Sequence, residues 1–277
     1  MKKLFLLLLI SYGFNIAFAQ PNWVYSLDHA KAIATSEKKL LLVDFTAEWC
    51  GPCKKMDMSA WPDPTVDSLS DKFIAVKIDI DQHRGIAQTF MVNSIPRVMI
   101  MDLNEDKLED RIGYQDDRNL TKLLSPYPAN MEIINNALVP LLEDDKNFIS
   151  QFQVAEAYSK YVPLLESPAN DKFMYLSNEH YQLAKKYAKK SDNIEYQEKS
   201  IIGLAMNSAN ASRHNDAVKT LEKYGIDKFS ETNQTYAYYV LAYSADKSKN
   251  KSEYDKYLSK LQDMKGGSYF SKMLEGN

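Results

Sequence analysis

The only two cysteines of this chain, Cys50 and Cys53, lie in Trp49-Cys50-Gly51-Pro52-Cys53, between a continuous apolar run and a helical pattern. Leu40 to Phe45 is apolar except for Asp44, as in a strand buried on both faces, and Lys54 to Ala60 reads as helix. At a helix N-terminus the unpaired backbone N–H groups and the helix dipole stabilise an anion. Cys50 therefore becomes a thiolate more readily than a free cysteine, and the thiolate is the attacking species in disulfide exchange. Two intervening residues keep the second sulfur in reach of the first, and Pro52 suits the start of a helix, where a missing N–H costs little. The pair can cycle between dithiol and disulfide.

Three other uses of such a pair fit less well. A structural zinc needs about four ligands, and His29, His83, His180 and His214 are scattered without metal-ligand spacing, so neither a metal nor another cofactor is expected. A permanent structural disulfide across so short a loop constrains the unfolded chain little. A hydrolytic cysteine wants a histidine partner that no sequence feature places nearby. A redox pair is the favoured reading.

Around the pair the chain follows α/β grammar. Phe73 to Ile80 and Val98 to Met101 are further runs of strand length, Asp102 to Asp106 is turn-like, and Lys107 to Ile112 can return as a hairpin partner. The expected order is β-α-β-α-β-β. Ser125-Pro126-Tyr127-Pro128 then marks a boundary, giving a predicted α/β domain over 20–128 and a helical domain over 129–277. In the second part apolar and aromatic residues recur three and four apart, as in Tyr181, Ala184, Tyr187 and Ala188. Fourteen of the eighteen tyrosines fall after residue 150, and their spacing points to packing between helices. A weak self-similarity at an offset of 37 pairs Leu204-Ala205 with Leu241-Ala242 and Leu221 with Leu258. That offset is near the period of tetratricopeptide-like helix pairs, with a plain helical bundle as the alternative.

The N-terminus has the layout of a secretory signal peptide over 1–19: Met1-Lys2-Lys3, the apolar run Leu4 to Ile10, then Ala17-Phe18-Ala19 before Gln20. Ser11, Tyr12, Gly13 and Asn15 keep the uninterrupted apolar run well short of a bilayer crossing. Export to a periplasmic or other extracytoplasmic space is expected, with no stable membrane insertion after cleavage. The net charge is −3 for the whole sequence, with 34 basic and 37 acidic residues, and gives no general attraction to nucleic acid.

The residues around the cysteines resemble the thioredoxin family. Leu42-Val43-Asp44-Phe45-Thr46-Ala47-Glu48-Trp49-Cys50-Gly51-Pro52-Cys53-Lys54 looks like that family's active-site strand and turn. Val76-Lys77-Ile78-Asp79-Ile80-Asp81 resembles its third strand, Ile95-Pro96 sits where the family carries a cis-proline, and Gly113 matches a glycine on the last strand. The stretch from Lys54-Lys55-Met56 to Trp61-Pro62-Asp63-Pro64-Thr65-Val66 is more similar to exported thioredoxin-like domains such as the C-terminal domain of DsbD-type membrane reductases. The resemblance covers roughly 36–124 and leaves the helical part without a specific family.

It implies a thioredoxin fold, a mixed sheet flanked by helices, followed by an all-α domain. It implies Cys50 as the exposed nucleophile, Cys53 as the buried resolving thiol, and Asp44 as acceptor of the Cys53 proton, with a pKa raised by burial and tempered by Lys77. Trp49 would shield the sulfurs, and Gly51, Pro52, Ile95 and Pro96 would face the substrate, the Ile95 backbone pairing with an extended chain. Two residues depart from the family pattern: Thr46 replaces an aromatic residue, and Arg97 follows the proline, where it would favour the Cys50 thiolate or select acidic substrates.

The expected function is an exported thiol–disulfide oxidoreductase that reduces or isomerises protein disulfides and is recharged by a membrane thiol reductase. The competing expectation is an interaction or redox-sensing protein whose helical domain binds a protein partner. A combined reading has residues 129–277 presenting substrates to Cys50.

Overall fold

A computed structural model describes residues 20–275; the predicted signal peptide lies outside the described residues. The first part runs α1 (Leu27–Glu37), β1 (Leu40–Thr46), α2 (Gly51–Ser59), α3 (Pro64–Ser70), β2 (Phe73–Asp79), α4 (Arg84–Thr89), β3 (Arg97–Met101), β4 (Lys107–Ile112) and α5 (Asp117–Leu124). The strands form one mixed sheet in the order β2-β1-β3-β4, with β1 parallel to β2 and β3 antiparallel to both its neighbours. The expected order is met, with α3 as an additional helix before β2. Strand β1 is central and covered on both faces, which is why Leu40 to Phe45 reads as an unbroken apolar run rather than an alternation. Helices start where short polar side chains can cap them. Ser26 accepts from the His29 N–H, Asp63 from those of Thr65 and Val66, and Asp116 from that of Asn119.

The remaining elements among the described residues are helical: α6 (Glu132–Glu143), α7 (Phe148–Tyr161), α8 (Ala169–Lys190), α9 (Ile194–Asn210), α10 (His214–Tyr224), α11 (Glu231–Lys247), α12 (Lys251–Gln262) and α13 (Gly267–Glu275). Asn147, Asn193 and Asn250 cap α7, α9 and α12 in the same way, each with its side-chain oxygen on backbone N–H groups of the first turn. From Ile194 to Glu231, the starts of α9 and α11, is 37 positions, so Leu204 and Leu241 fall on these two helices. Leu221 and Leu258 fall on α10 and α12. Tyr181 on α8 packs its ring against the backbone of Gly203 on α9, a closeness that leaves no room for a Cβ there.

One buried apolar cluster runs from Leu27 through the sheet to Leu176 on α8, so the helical part is packed directly on the α/β part. Polar contacts fix the junction. The Met131 N–H donates to the Lys38 carbonyl, the Asn135 amide donates to the carbonyls of Ala34 and Lys39, and the Tyr158 hydroxyl donates to Asp102 at 2.6 Å. Lys39 precedes β1 and Asp102 follows β3, whose Met101 pairs with Leu41. These contacts therefore lie at the start of β1, whereas Cys50 follows its end. A seven-residue strand, about 23 Å, separates the two.

Candidate active site

Cys50 and Cys53 form a disulfide with Cα atoms 5.3 Å apart. Cys50 is the N-cap of α2, in extended backbone, and its Sγ accepts the Cys53 N–H at 3.2 Å. A sulfur thus occupies a place usually held by a serine or aspartate oxygen, where partial positive charge collects. Gly51 and Pro52 form the exposed first turn.

One expectation about access changes here. Cys50 is 3% exposed, no more than Cys53 at 3%, because the cross-linked sulfurs face each other and Ala47, Ile80 and Ile95 pack on them. Trp49 is 68% exposed, and its indole N–H donates to Asp81 at 2.7 Å. The Ile95–Pro96 peptide is cis, Ile95 is half-buried against the cysteine pair, and the Pro96 carbonyl accepts the Gly113 N–H at 2.8 Å. Gly113 has φ +89°, a conformation that favours glycine, so the glycine lets the chain leave β4 while still tied to the proline loop.

Asp44 sits in the middle of β1, buried between Lys77 on β2 and Val98 on β3. Burial raises its pKa from the ordinary 3.8 to about 6; the Lys77 ammonium, 3.5 Å from its Oδ2, pulls the other way, and Asp57 adds to the rise. Among the described residues neither its Oδ1 nor the buried indole N–H of Trp61 meets a partner at full hydrogen-bond geometry, although Trp61 lies near enough to pull the Asp44 pKa down slightly. Lys77 also pairs with Asp57 and lies 4.6 Å from the centre of the Trp23 ring, which in turn meets Trp61 edge-on. Sequence reasoning missed Asp57. Its signal was the spacing: four residues after Cys53 on the same helix, it falls on the same face one turn along.

Arg97 is not a free cation beside Cys50. It is 8% exposed, its Nε and Nη2 bind both carboxylate oxygens of Asp110 at 2.7 and 2.6 Å, and its Nη1 donates to the Met91 carbonyl at 2.6 Å. The cause is register. Arg97 pairs with Ile112 on β4, which leaves Asp110 as its diagonal neighbour on the same face. The guanidinium holds the Asp110 carboxyl below the usual carboxylate range.

A second titratable cluster, also unread in the sequence, sits at the junction. Burial, and then the charge of Asp106, raise the Asp102 pKa to about 7, and Tyr158 stacks on His180, which binds Gln151 and approaches Asp106. Among the described residues no group of His, Cys, Asp or Glu is arranged to hold a metal ion.

The thioredoxin family model matches residues 23–126. Thioredoxin-1 of Drosophila melanogaster is 32% identical over 102 residues, which are 35% of this chain and 88% of that protein. The thioredoxin of Chlamydia muridarum is 37% identical over 91 residues, 32% of this chain and 82% of its own. Among solved structures, the oxidised C-terminal domain of Neisseria meningitidis DsbD aligns at 19% identity over 37% of this chain and 97% of that domain, with a TM-score of 0.33.

Proposed function

The chain belongs to the thioredoxin family as an oxidoreductase with a disulfide-capable Cys50–Cys53 pair, and on that premise we propose that it is an exported enzyme that reduces or isomerises protein disulfides. The observation that carries the proposal is the Cys50 sulfur at the N-cap of α2, accepting a backbone N–H in a place suited to a thiolate.

In the reduced enzyme the Cys50 thiolate attacks one sulfur of a substrate disulfide. That S–S bond breaks, a mixed disulfide with Cys50 forms, and the departing substrate thiolate takes up a proton. Cys53 loses its proton to the Asp44 carboxylate and attacks the Cys50 sulfur, which releases the second substrate thiolate and forms the Cys50–Cys53 disulfide. Two electrons have passed to the substrate. Asp44 suits this step because a carboxyl with a pKa of about 6 can gain and lose a proton near neutrality. Lys77, bridging Asp44 and Asp57, keeps that value from rising further. In the proposed binding mode Trp49, Gly51, Pro52, Ile95 and Pro96 border the substrate chain, and Arg97 acts from behind the loop.

Return to the dithiol takes two electrons from a dithiol donor. Export, supported by the composition of Met1 to Ala19, makes a membrane thiol reductase the fitting donor. Among the described residues no helix is long and apolar enough to cross a membrane.

The test is turnover of a protein disulfide by the purified protein, with the pair's reduction potential set against a thiol buffer. A potential near roughly −270 mV supports a reductant, and one near roughly −120 to −180 mV an oxidant or isomerase. Cys53→Ser should accumulate the mixed disulfide. Turnover that survives Cys50→Ser would overturn the proposal.

A further inference from the structure

Helices α7, α9 and α11 lie side by side with α9 in the middle, and α8 and α10 pack against the two pairs so formed. On α11 the residues Tyr236, Tyr239 and Tyr243 recur three and four apart, so they share one face. Their rings make a continuous wall with Phe270 of α13. Tyr236 stacks on Tyr239 at 6.0 Å and on Phe270 at 5.8 Å, and Tyr239 stacks on Tyr243 at 6.3 Å between ring centres. At the 37-residue offset α9 has Lys199 and Met206 where α11 has Tyr236 and Tyr243, so the self-similarity does not itself require aromatic residues there.

Glu156 on α7 stands beside this wall. It is half-buried, yet among the described residues its carboxylate makes no hydrogen bond and no ion pair. Burial raises its pKa, and Lys160 and Lys199 oppose the rise only from a distance: Lys199 is engaged by Glu195, and Lys160 is exposed. A half-buried carboxylate without a counter-ion costs stability that a neutral residue would not. Burial, and then the charge of Glu156, hold the Tyr236 phenol above its ordinary range, which puts the two groups near each other. They do not hydrogen-bond, and the Tyr236 hydroxyl has no other partner among the described residues. Both keep contact with solvent, unlike the sealed Oδ1 of Asp44. Behind them the Tyr181 ring fills the space over Gly203 and closes the floor between α8 and α9.

A carboxylate and a phenol oxygen thus flank an open gap with an aromatic wall at its side. A cation that donates hydrogen bonds to both oxygens satisfies it, and ammonium and guanidinium groups each carry several donors on an alkyl stem that packs against rings. We propose that this face of the helical part binds a lysine or arginine side chain on an extended segment of another protein, with the charged head between Glu156 and the Tyr236 hydroxyl and the stem along Tyr239 and Phe270. The site stands apart from disulfide exchange and uses neither cysteine.

The experiment measures binding of short fluorescein-labelled peptides to the oxidised full chain by fluorescence anisotropy. One peptide carries lysine between leucines, one replaces the lysine by norleucine, and one replaces it by glutamate. The lysine peptide should bind about tenfold more tightly than the norleucine peptide, the scale of one hydrogen-bonded charge, and the preference should shrink with added salt. Glu156→Gln keeps the shape and removes the charge, and should abolish the preference. Tyr236→Phe keeps the stacking on Tyr239 and Phe270 and should weaken the lysine peptide about threefold. Urea unfolding of each variant checks the fold, and Glu156→Gln should be at least as stable as the wild type.

Equal binding of the lysine and norleucine peptides by the wild type, or binding of neither, would overturn the site and leave only water in the gap. A lysine preference that survives Glu156→Gln would refute the role of the carboxylate. Tighter binding of the glutamate peptide would assign the face to its lysines instead and overturn the proposal. Because the oxidised protein has no free thiol, each of these results leaves the disulfide-exchange reading untouched.

Discussion

Asp44 burdens the fold at neutral pH, and replacing it should make the protein more stable. Burial, opposed by Lys77, raises its pKa from 3.8 to about 6 in the folded state. The unfolded chain gives up this proton near pH 4, while the folded protein keeps it until about pH 6. Stability that is present below pH 4 is therefore lost as the pH rises through about 6. At about 1.4 kcal/mol per pKa unit the loss amounts to about 3 kcal/mol at pH 7.5. Asp44→Asn removes the titration, and it does not strand Lys77, which retains Asp57. Urea unfolding of the oxidised wild type and variant, at intervals from pH 4 to pH 8, isolates the effect, because the slope from Asp102 is common to both and cancels in the difference. The stability gap in favour of the variant should widen by about 2.5 kcal/mol across that range, most steeply between pH 4 and 6. The same variant should lose disulfide turnover by at least about tenfold, since no carboxylate remains to take the Cys53 proton. A gap that stays flat with pH would refute this account of Asp44.

Other substitutions test other parts of the molecule. Tyr158→Phe removes the hydrogen bond to buried Asp102 and should cost about 1–3 kcal/mol at the junction, read by urea unfolding. Asp102→Asn should flatten the dependence of stability on pH between about 4 and 7, because the raised Asp102 pKa means that stability held below pH 4 is lost as the pH climbs toward 7. An unchanged pH profile would place the titration elsewhere. Gly203→Ala would drive a methyl group to 2.2 Å from the Tyr181 ring, and should destabilise the protein by about 1–3 kcal/mol despite the better helix propensity of alanine.

The parts legible in the sequence were those set by local physics. The apolar run of β1 and the proline after a helix-starting cysteine each act over a few neighbours, so they can be read without the fold. Helical spacing likewise marked α8, with Tyr181, Ala184 and Ala188 buried along one face. To Cys50 and Cys53 the resemblance added Asp44, Lys77 and Pro96, because a sequence pattern can preserve an arrangement whose geometry it does not express.

The tertiary structure decided what depends on distant residues coming together. Arg97 was visible beside Pro96, but only the pairing of β3 with β4 brought Asp110 to it and turned an expected free cation into a clamp on Met91. Asp57 reaches the buried carboxyl only because Lys77, twenty positions away, bridges the two. The attachment of the helical half at the start of β1, away from Cys50, follows from contacts between residues such as Asn135 and Ala34, 101 positions apart. Charge pairing, burial and the pKa values they produce are sums over neighbours in space, so the sequence set which groups were available and the packing set what each became.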